Sequence, residues 1–220
     1  MIEDPRDIKA LAIDFDGVIV DSQSLHLKAW NDVLRQYKIN RTVSLEEITG
    51  LSVLDFVRSL GLPIETVAEV AKAKKEYVVK LGTVSPPPLY PKVVSTLKLL
   101  VKHYRLAIVS SCEAELVKLL QRYYDIHNIF EVSVLEDDYH KAKPDPEPYQ
   151  VCLQKLNLPA KYVVAIEDSP AGVKSAHRAG LSVVAVTNTT DNKRLHEADI
   201  IINKFHELLD LFVHYQRNGG

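Results

Sequence analysis

The chain has 220 residues, 46% of them hydrophobic, enough to bury the core of one α/β domain with a modest insert. Its 27 basic and 29 acidic residues are interspersed and sum to a formal charge of -2, so no stretch is marked for nucleic acid or for a membrane surface. No apolar run approaches the roughly 20 residues of a membrane span, the MIEDPRD start has the wrong charge for a secretion signal, and Cys112 and Cys152 lack a metal-ligand spacing; a cytoplasmic monomer is expected.

After a polar lead-in from Met1 to Ile8, an almost continuous apolar run from Ala10 to Ile13 reads as a strand buried on both faces of a parallel sheet. Two acids, Asp14 and Asp16, follow where that strand should end, and Gly17 lets the backbone turn tightly. Residues two apart on extended chain point the same way, so Asp14 and Asp16 can share one centre while Phe15 enters the core. An acid between Ile13 and Phe15 is more than turn chemistry, because a buried carboxylate needs a partner.

From Ser22 the pattern is helical. Leu25, Trp30, Val33, Leu34 and Tyr37 form one stripe, and Ser44 with Glu47, then Ser52 with Asp55, read as helix starts, with Gly61 ending the second of these helices. Pro63 opens a longer helix carrying Ile64, Val67, Ala71, Val78 and Leu81 on one side and closed by Gly82. The block stops at Ser85-Pro86-Pro87-Pro88, an extended linker.

Beyond the linker, helix and strand alternate. Helices are expected around Val94 to Val101, Glu113 to Tyr124, Pro146 to Asn157, Val173 to Ala179 and from His206 onward. Strands are expected at Leu106 to Val109, Phe130 to Val134, Tyr162 to Ile166, Ser182 to Val186 and Ile200 to Ile202. Such alternation implies βαβ units and a parallel sheet: a Rossmann-like α/β core with an inserted all-helical cap. The expected boundaries are 1–21 and 89–220 for the core and 22–88 for the cap.

Polar residues follow three further strands. Ser110, with Ser111 beside it, ends Leu106 to Val109 and enters a helix, an anion-friendly position that an ordinary helix cap would equally explain. Lys143 stands before Pro-Asp-Pro in a rigid loop, where most lysines simply face solvent. Glu167-Asp168 ends the apolar strand VVAI, and two adjacent buried acids repel unless a cation lies near them. Few hard oxygen ligands suit Mg²⁺. Cys112 invites a cysteine-phosphatase reading, but Lys118 stands where that chemistry wants an arginine and no Gly-rich loop intervenes.

DFDGVIVDS, Ser110, KPDPEPY and EDSPAGVKSAHRAG resemble, in order, the four motifs of the haloacid dehalogenase-like superfamily. The resemblance implies Asp14 as nucleophile forming an aspartyl-phosphate, Asp16 as general acid and base, Ser110 as the hydroxyl holding the phosphoryl, and Lys143 as the cation offsetting its charge. It also implies Mg²⁺ on Asp14, the Asp16 carbonyl, Asp168 and Glu167, with Gly17 and Ser111 lining the substrate site. DFDGVIVDSQSLHLKAW resembles the β-phosphoglucomutase-like subfamily, which makes His26 and Lys74 candidate cap contacts; His26 could position Asp16, bind substrate, or be an exposed helical histidine. Val53 stands where that mutase has a phosphate-binding arginine, and Glu113 where it has a lysine. The expectation is therefore a Mg²⁺-dependent phosphatase acting on a small phosphomonoester such as a sugar phosphate, with a β-phosphoglucomutase-like phosphotransferase as the alternative. A receiver-like signalling domain has half this length and no cap.

Overall fold

The computed structural model describes residues 5–48 and 53–214. Six parallel strands form its centre: β1 (Ala10–Ile13), β2 (Arg105–Val109), β3 (Val132–Val134), β4 (Val163–Glu167), β5 (Ser182–Val186) and β6 (Ile200–Ile202), in the order β3-β2-β1-β4-β5-β6. The two-residue period of a strand sorts each one between two cores. Leu11 and Ile13 of β1, Leu106 and Ile108 of β2, and Val164 and Ile166 of β4 face one core. Ala10, Ala12, Ala107, Ala165 and Ala185 face the other, where their small side chains leave room for Tyr149, Cys152 and Val173. In register, Ala12 pairs with Ala107 on one side and Ala165 on the other.

Strand order reverses at β1: the chain first proceeds outward through β2 and β3, then returns to add β4 on the opposite side. Ligands of open α/β sheets bind at the carboxyl ends of strands beside such a switch. Between the strands run α5 (Val93–Leu100), α6 (Ala114–Tyr123), α7 (Glu147–Leu156) and α8 (Pro170–Arg178).

The segment between β1 and α5 is helical: α1 (Gln23–Gln36), α2 (Leu45–Ile48), α3 (Val53–Ser59) and α4 (Ile64–Val84). It has a small core of its own, with Trp30, Val33 and Leu34 of α1 against Phe56 and Val57 of α3 and Val67, Val70 and Ala71 of α4. The Trp30 and Phe56 rings lie 4.5 Å apart. Glu47 accepts from both the backbone N–H and the hydroxyl of Ser44, starting α2 as its Ser-to-Glu spacing predicts. The Ser52 start lies outside the described residues. The chain leaves and re-enters the core side by side, with Asp21 N–H donating to Pro88 O and Tyr90 N–H to Ile19 O.

Two expectations are corrected. Gly82 does not close α4, which runs on to Val84; a Cβ there would lie 2.4 Å from Leu116 Cδ1, so this glycine lets α4 approach α6. Ile64 sits off the buried stripe, in the first turn of α4, 69% exposed. The helix from His206 onward is present but irregular, a 3-10 turn at Phe205–Glu207 leading into a π-helical turn at Asp210–His214, the latter anchored where Tyr104 donates to Phe212 O.

Candidate active site

At the end of β1, Asp14 N–H still donates to Ile166 O, so the ladder with β4 carries the nucleophile candidate to the sheet's rim. Phe15 turns into the core while Asp14 and Asp16 line one pocket, as two-residue spacing requires. Gly17 has φ +82°, and a Cβ on it would stand 2.0 Å from Asp168 Oδ2; backbone conformation and space both exclude a side chain. The Asn188 amide fixes this turn by donating to Gly17 O at 2.9 Å.

Lys143 is no solvent-facing lysine. Its side chain is 7% exposed, and its ammonium spends three donors on Asp14 Oδ1 (2.7 Å), Glu167 Oε1 (2.6 Å) and Val109 O (2.8 Å). The Pro-Asp-Pro loop folds back over the ends of β1, β2 and β4, which a sequence window cannot show. Burial by itself would lower the Lys143 pKa, but Asp14 and Glu167 outweigh it and raise the value.

Glu167 is fully buried beneath the pocket, where Tyr149 donates to its Oε1 at 2.6 Å. Its Oε2 has no partner among the described residues, and a Cβ on Gly172 would fall 1.9 Å from it, so the glycine of the following helix makes room for the carboxylate. Thr189, at the end of β5, donates to Asp168 Oδ2. One ligand atom from each of Asp14, Glu167 and Asp168 lies within 4.8 Å of the others. Three carboxylates against one ammonium leave an excess of two negative charges. Burial, with help from Glu167 and Asp16 and against the pull of Lys143, pushes the Asp14 carboxyl up to about 7. Burial, Asp14 and Glu167 raise Asp168 well above the ordinary carboxylate range. An all-oxygen donor set short of positive charge, with an orphaned buried oxygen beside it, fits a hard divalent cation such as Mg²⁺.

Ser110 continues the β2 edge through its N–H to Val134 O, and its hydroxyl accepts from Cys112 N–H at 3.1 Å, turning the chain into α6. The Ser111 hydroxyl lies 3.3 Å from that of Tyr139.

The insert contributes a second buried network. Lys74 of α4 donates to Glu113 Oε1 at 2.5 Å and lies 3.0 Å from His26 Nδ1. An ammonium offers donors alone, so Nδ1 accepts and the ring proton sits on Nε2, 3.3 Å from Asp16 Oδ2. Asp16 Oδ1 is left without a partner among the described residues. Cys112 gives its thiol hydrogen to Glu113 Oε2 at 3.4 Å and lies 3.7 Å from His26 Nε2. Asp16, His26 and Cys112 have metal-like proximity, but the proton on Nε2 removes that nitrogen as a ligand.

Of the ten residues expected in the site, nine line this pocket and Glu167 lies under it. Sequence reading missed Tyr149, Thr189, Asn188 and the Glu113–Lys74 pair. The polar run TNTT directly after β5 was the available signal for two of them, because polar residues at a strand's carboxyl end face the crevice. Nothing local ties Lys74 to Glu113.

A family model described as haloacid dehalogenase-like hydrolase matches residues 11–186, and the chain belongs to that family of enzymes. It is 29% identical over 204 residues to a phosphorylated carbohydrates phosphatase of Thermotoga maritima, covering 88% of this chain and 93% of that protein. It is 28% identical over 214 residues to hexitol phosphatase A of Escherichia coli, covering 96% of each. Among solved structures, CbbY from Rhodobacter sphaeroides in complex with phosphate superposes with a TM-score of 0.81 at 25% identity, over 91% of this chain and 96% of that one.

Proposed function

We propose that this chain is a Mg²⁺-dependent phosphatase that hydrolyses a small phosphomonoester, in the manner of a sugar phosphate, through an aspartyl-phosphate on Asp14. One observation carries the reading: Asp14, Asp16, Ser110, Lys143 and Asp168, drawn from four separate segments, all meet at one pocket over the strand ends. The phosphatase names of two relatives spanning nearly the whole chain support it.

Asp14 attacks phosphorus in line, forming an acyl-phosphate bond as the P–O bond to the leaving alcohol breaks. Asp16, steadied at Oδ2 by His26, delivers a proton to the departing alkoxide from the side of its unpartnered Oδ1. The same carboxylate then takes a proton from water as that water attacks phosphorus, returning Asp14 and releasing phosphate. Lys143 and Ser110 hold the phosphoryl oxygens. Asp14, Asp168, the Asp16 carbonyl and Glu167 would hold Mg²⁺, which supplies fixed positive charge against the phosphate. Residues 22–88 act as a cap, closing the pocket from above and excluding bulk water. Both cysteines are buried and free, as a cytoplasmic setting allows. A phosphotransferase needs spare cations for a second phosphate; the ammoniums lining the described pocket, Lys74 and Lys143, are both taken by carboxylates.

The test is phosphate release from sugar phosphates, phosphoglycolate, nucleotides and an aryl phosphate, with and without Mg²⁺. Metal-dependent release that vanishes in Asp14→Asn is expected. Release by Asp14→Asn at the wild-type rate, or none from any ester by wild type, overturns the reading.

A further inference from the structure

The pocket has two unlike ends. Carboxylates, Lys143 and Ser110 make the lower one, while the insert supplies the upper wall as Trp30, Leu45, Ile48, Val53 and Phe56. Trp30 and Phe56 are anchored in the insert's own core. Leu45, Ile48 and Val53 are only half-buried and turn apolar surface to the cavity. Where this wall meets α6 stands Glu113, also lining the pocket. Its ion pair with Lys74 has both side chains almost wholly buried, 3% and 5% exposed, so the one ammonium at this end is neutralised. An anionic group arriving there meets the mutually paired Lys74 and Glu113 and hydrocarbon, with no free cation among the described lining residues. An uncharged group with a hydrocarbon face meets a surface that gains by being covered.

We infer, on the phosphatase reading above, that the leaving-group end of this pocket selects an uncharged alcohol with an apolar face and rejects esters carrying a second anion, with Glu113 and Val53 as the specificity-determining residues. Placing a carboxylate or second phosphate at this end strips water from the anion with no unpaired cation to replace it, because the Lys74 ammonium is already held by Glu113. The phosphoryl end is built from other side chains, Asp14, Lys143 and Ser110, which substitution of Glu113 or Val53 does not touch.

The test compares 4-methylphenyl phosphate with 4-carboxyphenyl phosphate, esters of nearly equal size that differ in charge. The carboxylate ester has the better leaving group, so chemistry favours it and a preference against it belongs to the pocket. Wild type should show kcat/KM at least about tenfold higher for the methyl ester, mostly through KM. Val53→Arg adds a cation to the wall without touching the Lys74–Glu113 pair and should close most of that gap by lowering KM for the carboxylate ester; Glu113→Gln should move it in the same direction. Equal kcat/KM for the two esters in wild type, or a ratio unmoved in Val53→Arg, overturns the inference and leaves the phosphatase reading standing. If neither ester is hydrolysed with Mg²⁺ present, the phosphatase reading is left to the wider panel above, and the inference is judged from thermal stabilisation of the wild-type protein by each ester. Stronger stabilisation by the methyl ester supports it, and equal stabilisation overturns it.

Discussion

Replacing Glu113 by Gln strands Lys74. The Lys74 ammonium sits 2.5 Å from Glu113 Oε1 with both side chains almost fully buried, and its remaining neighbours are His26 Nδ1 at 3.0 Å and the Trp30 ring at 5.5 Å. Neither carries a compensating charge. Breaking a buried pair from one side costs about 3–5 kcal/mol, because the surviving charge stays in a poor solvent. The titration of Glu113 gives a second route to the magnitude. Burial pushes its carboxyl upward, but the Lys74 ammonium beside it outweighs burial, and the carboxyl falls from 4.5 to about 2. At about 1.4 kcal/mol for each pKa unit, that is about 3 kcal/mol. The two routes agree. In a chain of this size, a loss of 3–5 kcal/mol lowers the thermal midpoint by roughly 6–20 °C. The sign with pH follows from a carboxyl lowered by folding: its contribution is complete above about pH 4.5 and disappears as pH falls toward 2. Thermal unfolding of wild type and Glu113→Gln should therefore differ most at neutral pH, and the gap should shrink through that acid window. Adding Lys74→Met to Glu113→Gln should recover most of the loss, since no unpaired charge remains. A cost below about 1 kcal/mol at pH 7 would mean that water reaches the pair, and the argument would fail.

Mg²⁺ should raise the thermal midpoint more at pH 8 than at pH 6, because Asp14, pushed up to about 7 mainly by burial, and Asp168, raised well above the ordinary carboxylate range mainly by burial, must lose protons to bind it; a gain independent of pH would remove these two as ligands. Gly172→Ala puts a methyl group about 2 Å from both Glu167 oxygens, displacing a carboxylate pinned by Lys143 and Tyr149. Turnover should fall by roughly a hundredfold with the fold retained, judged by circular dichroism beside the kinetics. Asp16→Asn with an aryl phosphate should release a burst of one alcohol per chain and then stall at phosphorylated Asp14, visible by mass spectrometry. Steady turnover at the wild-type rate would take Asp16 out of acid–base work.

The strand ends were legible because a parallel strand buried on both faces can carry only apolar residues, so each polar interruption after Ile13, Val109 and Ile166 announced the rim of the sheet. Helix starts such as Ser44 with Glu47 were legible because a cap is satisfied within one turn. Gly82 was misread for the opposite reason. A glycine's use at a helix end is local, but its use at a helix crossing depends on Leu116, thirty-four positions away in the chain. Lys143 was expected in the site only through its motif's resemblance; its local sequence reads as a loop lysine, and the fold shows the loop lying over three strand ends.

The amino-acid order by itself determined the alternation of helix and strand, the helical insert after the first strand, and which side chains would stand at the strand ends, since each follows from periodicity, capping and the chemistry of buried carboxylates. Only the tertiary structure decided who pairs with whom. It gave Lys143 to both Asp14 and Glu167, seated Tyr149 and Gly172 around the Glu167 carboxylate, and matched Lys74 of the insert to Glu113 of the core. These pairings join segments far apart in sequence across a low-dielectric interior, where a charge's partner is set by position in space and leaves no local pattern to read.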